Sequence, residues 1–110
     1  MIQAWLFLIL AILLEVAGTT AMKFSDGFSK LLPSVLIFVC YALSFIALTF
    51  ALKKFEMGIA YAIWAGIGTV LITAIGIIYF KESANLLKFG SILLVIIGVI
   101  GLHLSATNHT

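Results

Sequence analysis

Glu15 is the only acidic residue inside any of the long apolar runs of this 110-residue chain. No side chain before it is charged, and the next charge, Lys23, lies eight positions on, or about 12 Å along a helix. An ionisable group that deep in a hydrocarbon layer is costly, and in membrane proteins it marks ion and substrate paths. Alternatively, the carboxyl lies near a helix end and reaches the surface, or pairs with a basic residue on another helix. No Lys or Arg lies deep in an apolar run, so pairing is disfavoured and a functional site is favoured.

The composition indicates a membrane protein. Hydrophobic residues make up 65% of the chain and charged residues 9%, whereas soluble domains average about 45–50% and about 25%. A soluble domain of this length could not bury so much apolar surface. The first apolar run has no basic segment before it and no A-x-A-like end, so we expect it to be retained rather than cleaved as a signal peptide.

Four apolar runs organise the chain, at about residues 3–22, 33–52, 58–80 and 86–105. Each is close to the roughly 20 residues that a spanning helix needs. Pro33 stands at the start of the second run, where proline suits the first turn of a helix. Because the runs are continuous and do not alternate with period two, a transmembrane β-barrel is excluded. We therefore expect an all-α integral membrane protein, with four transmembrane helices in a single domain of residues 1–110.

The connectors between these runs are too short to assemble an enzyme active site. There is no nucleotide loop, metal-ligand cluster or Ser/His/Asp arrangement, so we expect neither an enzyme nor a cofactor or metal. Gly66 and Gly68 form only a GxG fragment without a preceding strand. Cys40 stands alone and is expected to pack, and a scattered net charge of +2 does not suggest nucleic acid. The function classes that remain are a transporter, a channel and an accessory subunit beside a larger membrane protein.

Small and polar residues accompany the carboxyl on one face of helix 1. The spacing i, i+4, i+7 and i+8 places Ala11, Glu15, Gly18 and Thr19 on that face. Small neighbours would let a ligand or another helix approach the acid. On helix 2, residues at similar spacing are Tyr41, Ser44 and Phe45.

Helix 3 adds an aromatic pair and two glycines. Tyr61 and Trp64 are three residues apart and can meet on one face. Tyrosine also favours the headgroup belt, but Trp64 lies six residues inside Gly58, which favours a pocket over a belt. Gly66 and Gly68 weaken the helix and are the predicted position of a bend.

Glu15 together with Tyr41, Tyr61 and Trp64 would make a site for an organic cation. The carboxylate supplies the opposite charge, and aromatic faces attract cations most strongly when water is excluded. Quaternary ammonium compounds suit such a pocket because their spread charge is easily stripped of water. Small hydrated metal ions suit it poorly, since there is no ring of oxygen ligands.

The chain resembles the small multidrug resistance family of bacterial exporters over essentially its full length. The matching segments are Glu15-Val-Ala-Gly18-Thr19-Thr20-Ala-Met-Lys23-Phe-Ser, Gly27-Phe28, Pro33-Ser34 and Gly58-Ile-Ala-Tyr61-Ala-Ile-Trp64-Ala-Gly66-Ile-Gly68. The resemblance implies a homodimer in the bacterial inner or plasma membrane that exchanges protons for cations at Glu15. It also implies a pocket lined by Tyr61 and Trp64, and bending at Gly66 and Gly68. The resemblance further implies roles at the site for Tyr41, Ser44 and Phe45.

The family contains broad exporters of quaternary ammonium and polyaromatic cations, and narrow exporters of guanidinium compounds. In the narrow group the glutamate is typically followed by Val, an apolar residue and Trp. Here Val16, Ala17 and Gly18 follow it, so the sequence resembles the broad group, with guanidinium export as the second candidate. Gly90 and Gly98 are eight apart, whereas the helix 4 glycine pair of the family is seven apart, so the dimer contacts stay open.

The lysines near the helix ends predict that the chain inserts in both orientations. The first and third loops carry four, namely Lys23, Lys30, Lys81 and Lys88, against Lys53 and Lys54 in the second. Lysines near helix ends favour the cytoplasmic side and so set the orientation of the protein in the membrane. A difference of four against two is a weak bias toward one orientation. Mixed insertion would supply both members of an antiparallel homodimer, as the resemblance also implies. The expected partners are organic cations, protons, the lipid bilayer and a second copy or a related subunit.

Overall fold

The computed structural model describes residues 2–108, with side chains from residue 2 to residue 105. Its elements are four α-helices: α1 (Ile2–Ser25), α2 (Leu31–Ala51), α3 (Met57–Tyr79) and α4 (Leu86–Asn108). All four are long and apolar enough to cross a membrane, α4 over Leu86–Ser105. No strand occurs in the described residues. The prediction of an all-α membrane protein with four transmembrane helices is confirmed.

The described chain forms two compact units that meet in sequence between Phe55 and Glu56. The first contains α1 and α2, and the second contains α3 and α4. Each is a pair of helices joined by a short loop, which we call the first and second hairpins. That residues 1–110 form a single domain stays a prediction.

Aromatic pairs fix the register of α1 against α2. The ring pairs, with centroid separations, are Trp5–Phe55 at 4.9 Å, Phe7–Phe50 at 5.2 Å and Phe28–Phe38 at 6.1 Å. Partner numbers fall as residue numbers rise from Trp5 to Phe28, so the two helices of this hairpin run antiparallel. Between them lie small, fully buried side chains such as Ala11 and Ser44, which allow close approach of helices in a membrane.

Ser25 organises the turn between α1 and α2. Its buried hydroxyl donates to the Met22 carbonyl at 2.8 Å and accepts from the Phe28 amide at 3.2 Å. The chain reverses through positive φ angles at Asp26, Gly27 and Phe28. As a result α1 extends three residues past its predicted end, and Lys23 belongs to the last turn of the helix rather than to the connector.

Several hydroxyl groups on the helices donate to the backbone carbonyl four residues earlier. This holds for Thr20, Ser34, Thr49 and Thr69, which donate to the carbonyls of Val16, Lys30, Phe45 and Ala65. A hydroxyl bonded in this way needs no water, so it is tolerated at membrane depth.

The second hairpin is closed by packing at one glycine. A Cβ added at Gly66 would lie 2.6 Å from Val99 Cγ2 and 3.3 Å from Val95 Cγ1, so the missing side chain is what lets α3 and α4 touch. At the start of α4, the Asn85 side chain accepts from the Lys88 amide at 2.8 Å. This is an N-cap, which satisfies a donor of the first turn that the helix itself cannot pair.

Candidate functional site

Glu15 lies in the middle of α1 and is half-buried. Its Oε2 accepts a hydrogen bond from Thr19 Oγ1 at 2.9 Å. The two residues are four apart, so one turn of helix brings the hydroxyl over the carboxyl. The local helix geometry therefore supplies the first partner of the acid without help from another element.

The second element of the site comes from α2. Tyr41 places its hydroxyl 2.6 Å from Thr19 Oγ1, and either oxygen can donate. The same hydroxyl lies 3.7 Å from the sulfur of Met22, to which it can donate instead. Glu15, Thr19, Tyr41 and Met22 thus form one continuous polar chain across the first hairpin, which we call the Glu15–Met22 chain.

Gly18 explains how Tyr41 reaches this position. A Cβ at Gly18 would stand 2.5 Å from Tyr41 Cε1 and 2.6 Å from Tyr41 Cδ1, and 3.4 Å from the Cβ of Cys40. The tyrosine ring therefore lies directly on the glycine backbone. Any side chain at residue 18 would have to displace the ring, and its hydroxyl would leave Thr19.

Ser44 and Ala11 are joined, one turn further along α1 toward the N-terminus. The buried Ser44 hydroxyl donates to the Ala11 carbonyl at 2.7 Å. Phe45 is exposed, with its ring centroid 6.2 Å from that of Tyr41. The structure therefore brings Tyr41 to the carboxyl through Thr19, and uses the serine hydroxyl to bond the two helices.

Tyr61 and Trp64 lie together on α3, within the second hairpin. Their ring centroids are 5.5 Å apart and their planes nearly perpendicular, at 85°. An edge-to-face pair of this kind leaves one aromatic face open to a third group. Tyr61 is 61% exposed, so its face is accessible on the described second hairpin.

The two glycines that the sequence marks for bending are both buried in α3. The helix is continuous from Met57 to Tyr79. Gly66 has the packing role against Val99 described above, and bending at Gly66 and Gly68 stays a prediction.

Met22 is the residue that sequence reasoning missed. It lies seven positions after Glu15 on the same helix face, and that spacing was the available signal. Among the described residues, no group of three His, Cys, Asp or Glu side chains could hold a metal ion. The first hairpin offers an acid that can bind a proton or a cation, with hydroxyl groups in line. The second hairpin separately offers the aromatic faces of Tyr61 and Trp64.

Comparison with known proteins supports the resemblance seen in the motifs. The family described as Small Multidrug Resistance protein matches residues 3–105. The chain is 41% identical to the quaternary ammonium compound-resistance protein QacC of Staphylococcus aureus, over 96% of this chain and 98% of that protein. It is also 41% identical to the guanidinium exporter of Escherichia coli K12, over 94% of this chain and 98% of that protein.

A third relative carries no substrate in its name. The chain is 50% identical to an uncharacterized membrane protein of Bacillus subtilis, YvaE, over 91% of this chain and 84% of that protein. The family match includes every candidate site residue and part or all of each of the four helices. Together these matches confirm a multi-pass protein of the bacterial inner membrane that is not an enzyme. The chain belongs to the small multidrug resistance family.

Proposed function

We propose that this protein is a proton-coupled antiporter that exports hydrophobic and quaternary ammonium organic cations. Glu15 binds the proton and the cation in turn. The observation that carries the proposal is the placement of this carboxyl in the middle of α1, bonded to Thr19, with no other acid inside the four spans. The name of the Staphylococcus aureus relative supports the substrate class.

Competition at one carboxyl supplies the coupling. A cation is attracted to the carboxylate, and a bound proton removes the charge that attracts it. Two copies that share one site would load and release protons as a unit. If the empty, fully deprotonated protein does not reorient, protons moving inward drive cations outward.

The Glu15–Met22 chain keeps the carboxyl in place in both states. The Thr19 hydroxyl has one hydrogen, so when it donates to Oε2 of the carboxylate, Tyr41 must donate to Thr19. When Oε2 is protonated, Glu15 donates to Thr19, which donates to Tyr41, which donates to the Met22 sulfur. The order of donors reverses by rotation of two hydroxyl groups, and no heavy atom moves.

Aromatic faces would hold the organic part of the cargo. Tyr61 and Trp64 already pair edge to face, and a desolvated cation over an aromatic ring gains about 2 kcal/mol or more. Tyr41 serves both roles, because its ring stands beside Gly18 while its hydroxyl reaches Thr19. Phe45 is exposed beside Tyr41, and the buried Ser44 and Ala11 bond α2 to α1 behind it.

A second copy in the opposite orientation would complete the transporter. The α4 span has no buried share in the described structure, and its glycines Gly90, Gly98 and Gly101 have no atom within 4 Å of an added Cβ. Glycine on an open face favours close approach of another membrane helix. We propose an antiparallel homodimer, with Gly66 and Gly68 absorbing the change between outward-open and inward-open states.

Orientation can be measured with a single cysteine in the Lys53–Glu56 loop, after Cys40 is replaced. In intact cells we expect a membrane-impermeant thiol reagent to label part of the protein, and all of it after permeabilisation. Complete labelling, or none, before permeabilisation would mean one orientation, and the antiparallel arrangement would be wrong.

Guanidinium export is the second candidate, because relatives named guanidinium exporters are as similar as QacC. The residue that favours the broad class is Gly18, which leaves room for the Tyr41 ring beside the acid. A bulky residue there would replace that ring and narrow the space for a large cation.

Proton release on ligand binding tests both the coupling and the substrate class. Purified protein in weakly buffered detergent should release protons when a quaternary ammonium compound is added, and less when guanidinium is added. Affinity for the cation should rise with pH and then level off, since protons compete for Glu15. No proton release, or an affinity independent of pH, would contradict the proposal, and stronger release with guanidinium would select the second candidate.

A further inference from the structure

A cleft that the transport site does not use opens between the start of α1 and the end of α2. Its volume is about 160 Å³ and its lining residues are Gln3, Ala4, Phe7, Phe50, Lys53 and Lys54. Both lysines are exposed and follow Leu52, the C-cap of α2. In a membrane, residues at this position stand at the level of the lipid headgroups.

One of the two charges is held in place at the cleft. Lys53 Nζ lies 5.2 Å from the centroid of the Phe50 ring, within the range of a cation–π contact. Phe50 in turn stacks on Phe7, with centroids 5.2 Å apart and planes inclined by 28°. The stacked rings of Phe50 and Phe7 therefore restrain the Lys53 ammonium group before any ligand binds.

An apolar groove continues from the cleft along α1. It encloses about 310 Å³ and is lined by Gln3, Leu6, Phe7 and Leu10. Gln3 and Phe7 belong to both spaces, so the two are contiguous. From Gln3 to Leu10 the groove follows α1 for about 10 Å toward the middle of the membrane. Leu6 and Leu10 are both exposed along it.

We propose that this surface binds one anionic phospholipid, with the phosphate between Lys53 and Lys54 and an acyl chain along Leu6 and Leu10. Basic pockets between transmembrane helices at the headgroup level suit anionic lipid headgroups. Gln3 lines both the cleft and the groove, so its amide is available to the polar part of a lipid bound there. An organic cation would be repelled by the two lysines, and a free anion would leave the apolar groove unused.

Native mass spectrometry of the full-length protein tests the site with three probes: phosphatidylglycerol, phosphatidylcholine of the same chain length, and inorganic phosphate. We expect the protein to retain phosphatidylglycerol in preference to phosphatidylcholine. K53Q/K54Q should lose that preference by roughly 25-fold, because each lysine near an anionic lipid surface contributes about fivefold. K23Q/K30Q, which removes two exposed lysines from the other end of the first hairpin, should keep it.

Three results would overturn the proposal. They are an unchanged preference in K53Q/K54Q, an equal loss in K23Q/K30Q, and displacement of the lipid by inorganic phosphate at comparable concentration. L6A/L10A tests the groove separately and should weaken long-chain more than short-chain phosphatidylglycerol, whereas equal weakening would argue against an acyl chain there. Proton release on addition of a quaternary ammonium compound should persist in all these variants, which shows that they are folded.

Discussion

In the first hairpin, hydrogen bonds run from helix to helix: Ser44 donates to the Ala11 carbonyl, and Tyr41 meets Thr19. In the second hairpin, α3 and α4 pack together at Gly66, whose missing side chain leaves room for Val99. One third of the α1 span is buried in the described structure, against none of the α4 span. The two helices of the hairpin that carries Glu15 are hydrogen-bonded to each other, and these bonds fix the position of the acid. In the second hairpin it is α4 that leaves its apolar surface to lipid or further helices.

The largest expected effect is the loss of coupled transport when Glu15 is changed. Glu15→Gln keeps the size of the side chain and its bond to Thr19, but it removes the charge for which protons and cations compete. In proteoliposomes with an imposed pH gradient, we expect substrate uptake to fall to that of empty liposomes. Glu56→Gln is the matched control, because Glu56 precedes α3 outside the spans and makes no side-chain cap. Uptake by Glu15→Gln at the wild-type rate would mean that Glu15 does not couple proton and cation transport.

The next largest effect is a loss of stability when a side chain is added at Gly66, where α3 packs on α4. Gly66→Ala forces a Cβ to within 2.6 Å of Val99 Cγ2, and valine is stiff at χ1. Overpacking of this kind costs about 1–3 kcal/mol, measurable as a lower unfolding free energy in mixed micelles. Gly58→Ala on the same helix is the control, since a Cβ there meets nothing within 4 Å. Equal stability of the two variants would mean that α4 withdraws from Gly66 at no cost.

Hydropathy alone was enough to predict four membrane helices, because in lipid an apolar run of about 20 residues has no other way to satisfy its backbone. It could not place the end of α1. Residues 23–25 are polar or flank charges, yet they stay helical because the Ser25 hydroxyl bonds the turn that follows. A side-chain bond of that kind is local, and it leaves no trace in a hydropathy pattern.

Contacts of the candidate site within one helix could be predicted from the sequence, whereas contacts between helices could not be predicted as well. Helical spacing places Thr19 beside Glu15, and the hydrogen bond follows from it. The contact of Tyr41 with Gly18, Thr19 and Met22 depends on the register of α2 against α1. That register is fixed by ring pairs near both ends of the hairpin, and single-helix periodicity does not contain it.

A smaller effect tests whether the aromatic pair of α3 serves the ligand. If Trp64 supplies a face for stacking and cation–π contact, Trp64→Ala should weaken planar aromatic cations by about 0.5–2 kcal/mol. A small aliphatic ammonium should lose less affinity, and titration calorimetry compares the two. Tyr61→Phe, which keeps the ring, should change binding only if its hydroxyl bonds Glu15 or the ligand. Equal losses for every ligand would assign Trp64 to helix packing.

The smallest effect measures the bond that distinguishes the first hairpin. Ser44→Ala removes the buried donor to the Ala11 carbonyl, and interhelical bonds in membranes are worth on average about 0.6 kcal/mol, and at most about 1.7 kcal/mol. Thr49→Val is the matched control on α2, because the Thr49 hydroxyl bonds only within its helix, to Phe45. We expect Ser44→Ala alone to lower the free energy of unfolding. If the two variants unfold alike, the bonds between α1 and α2 add little, and close packing of small residues must hold the acid in position.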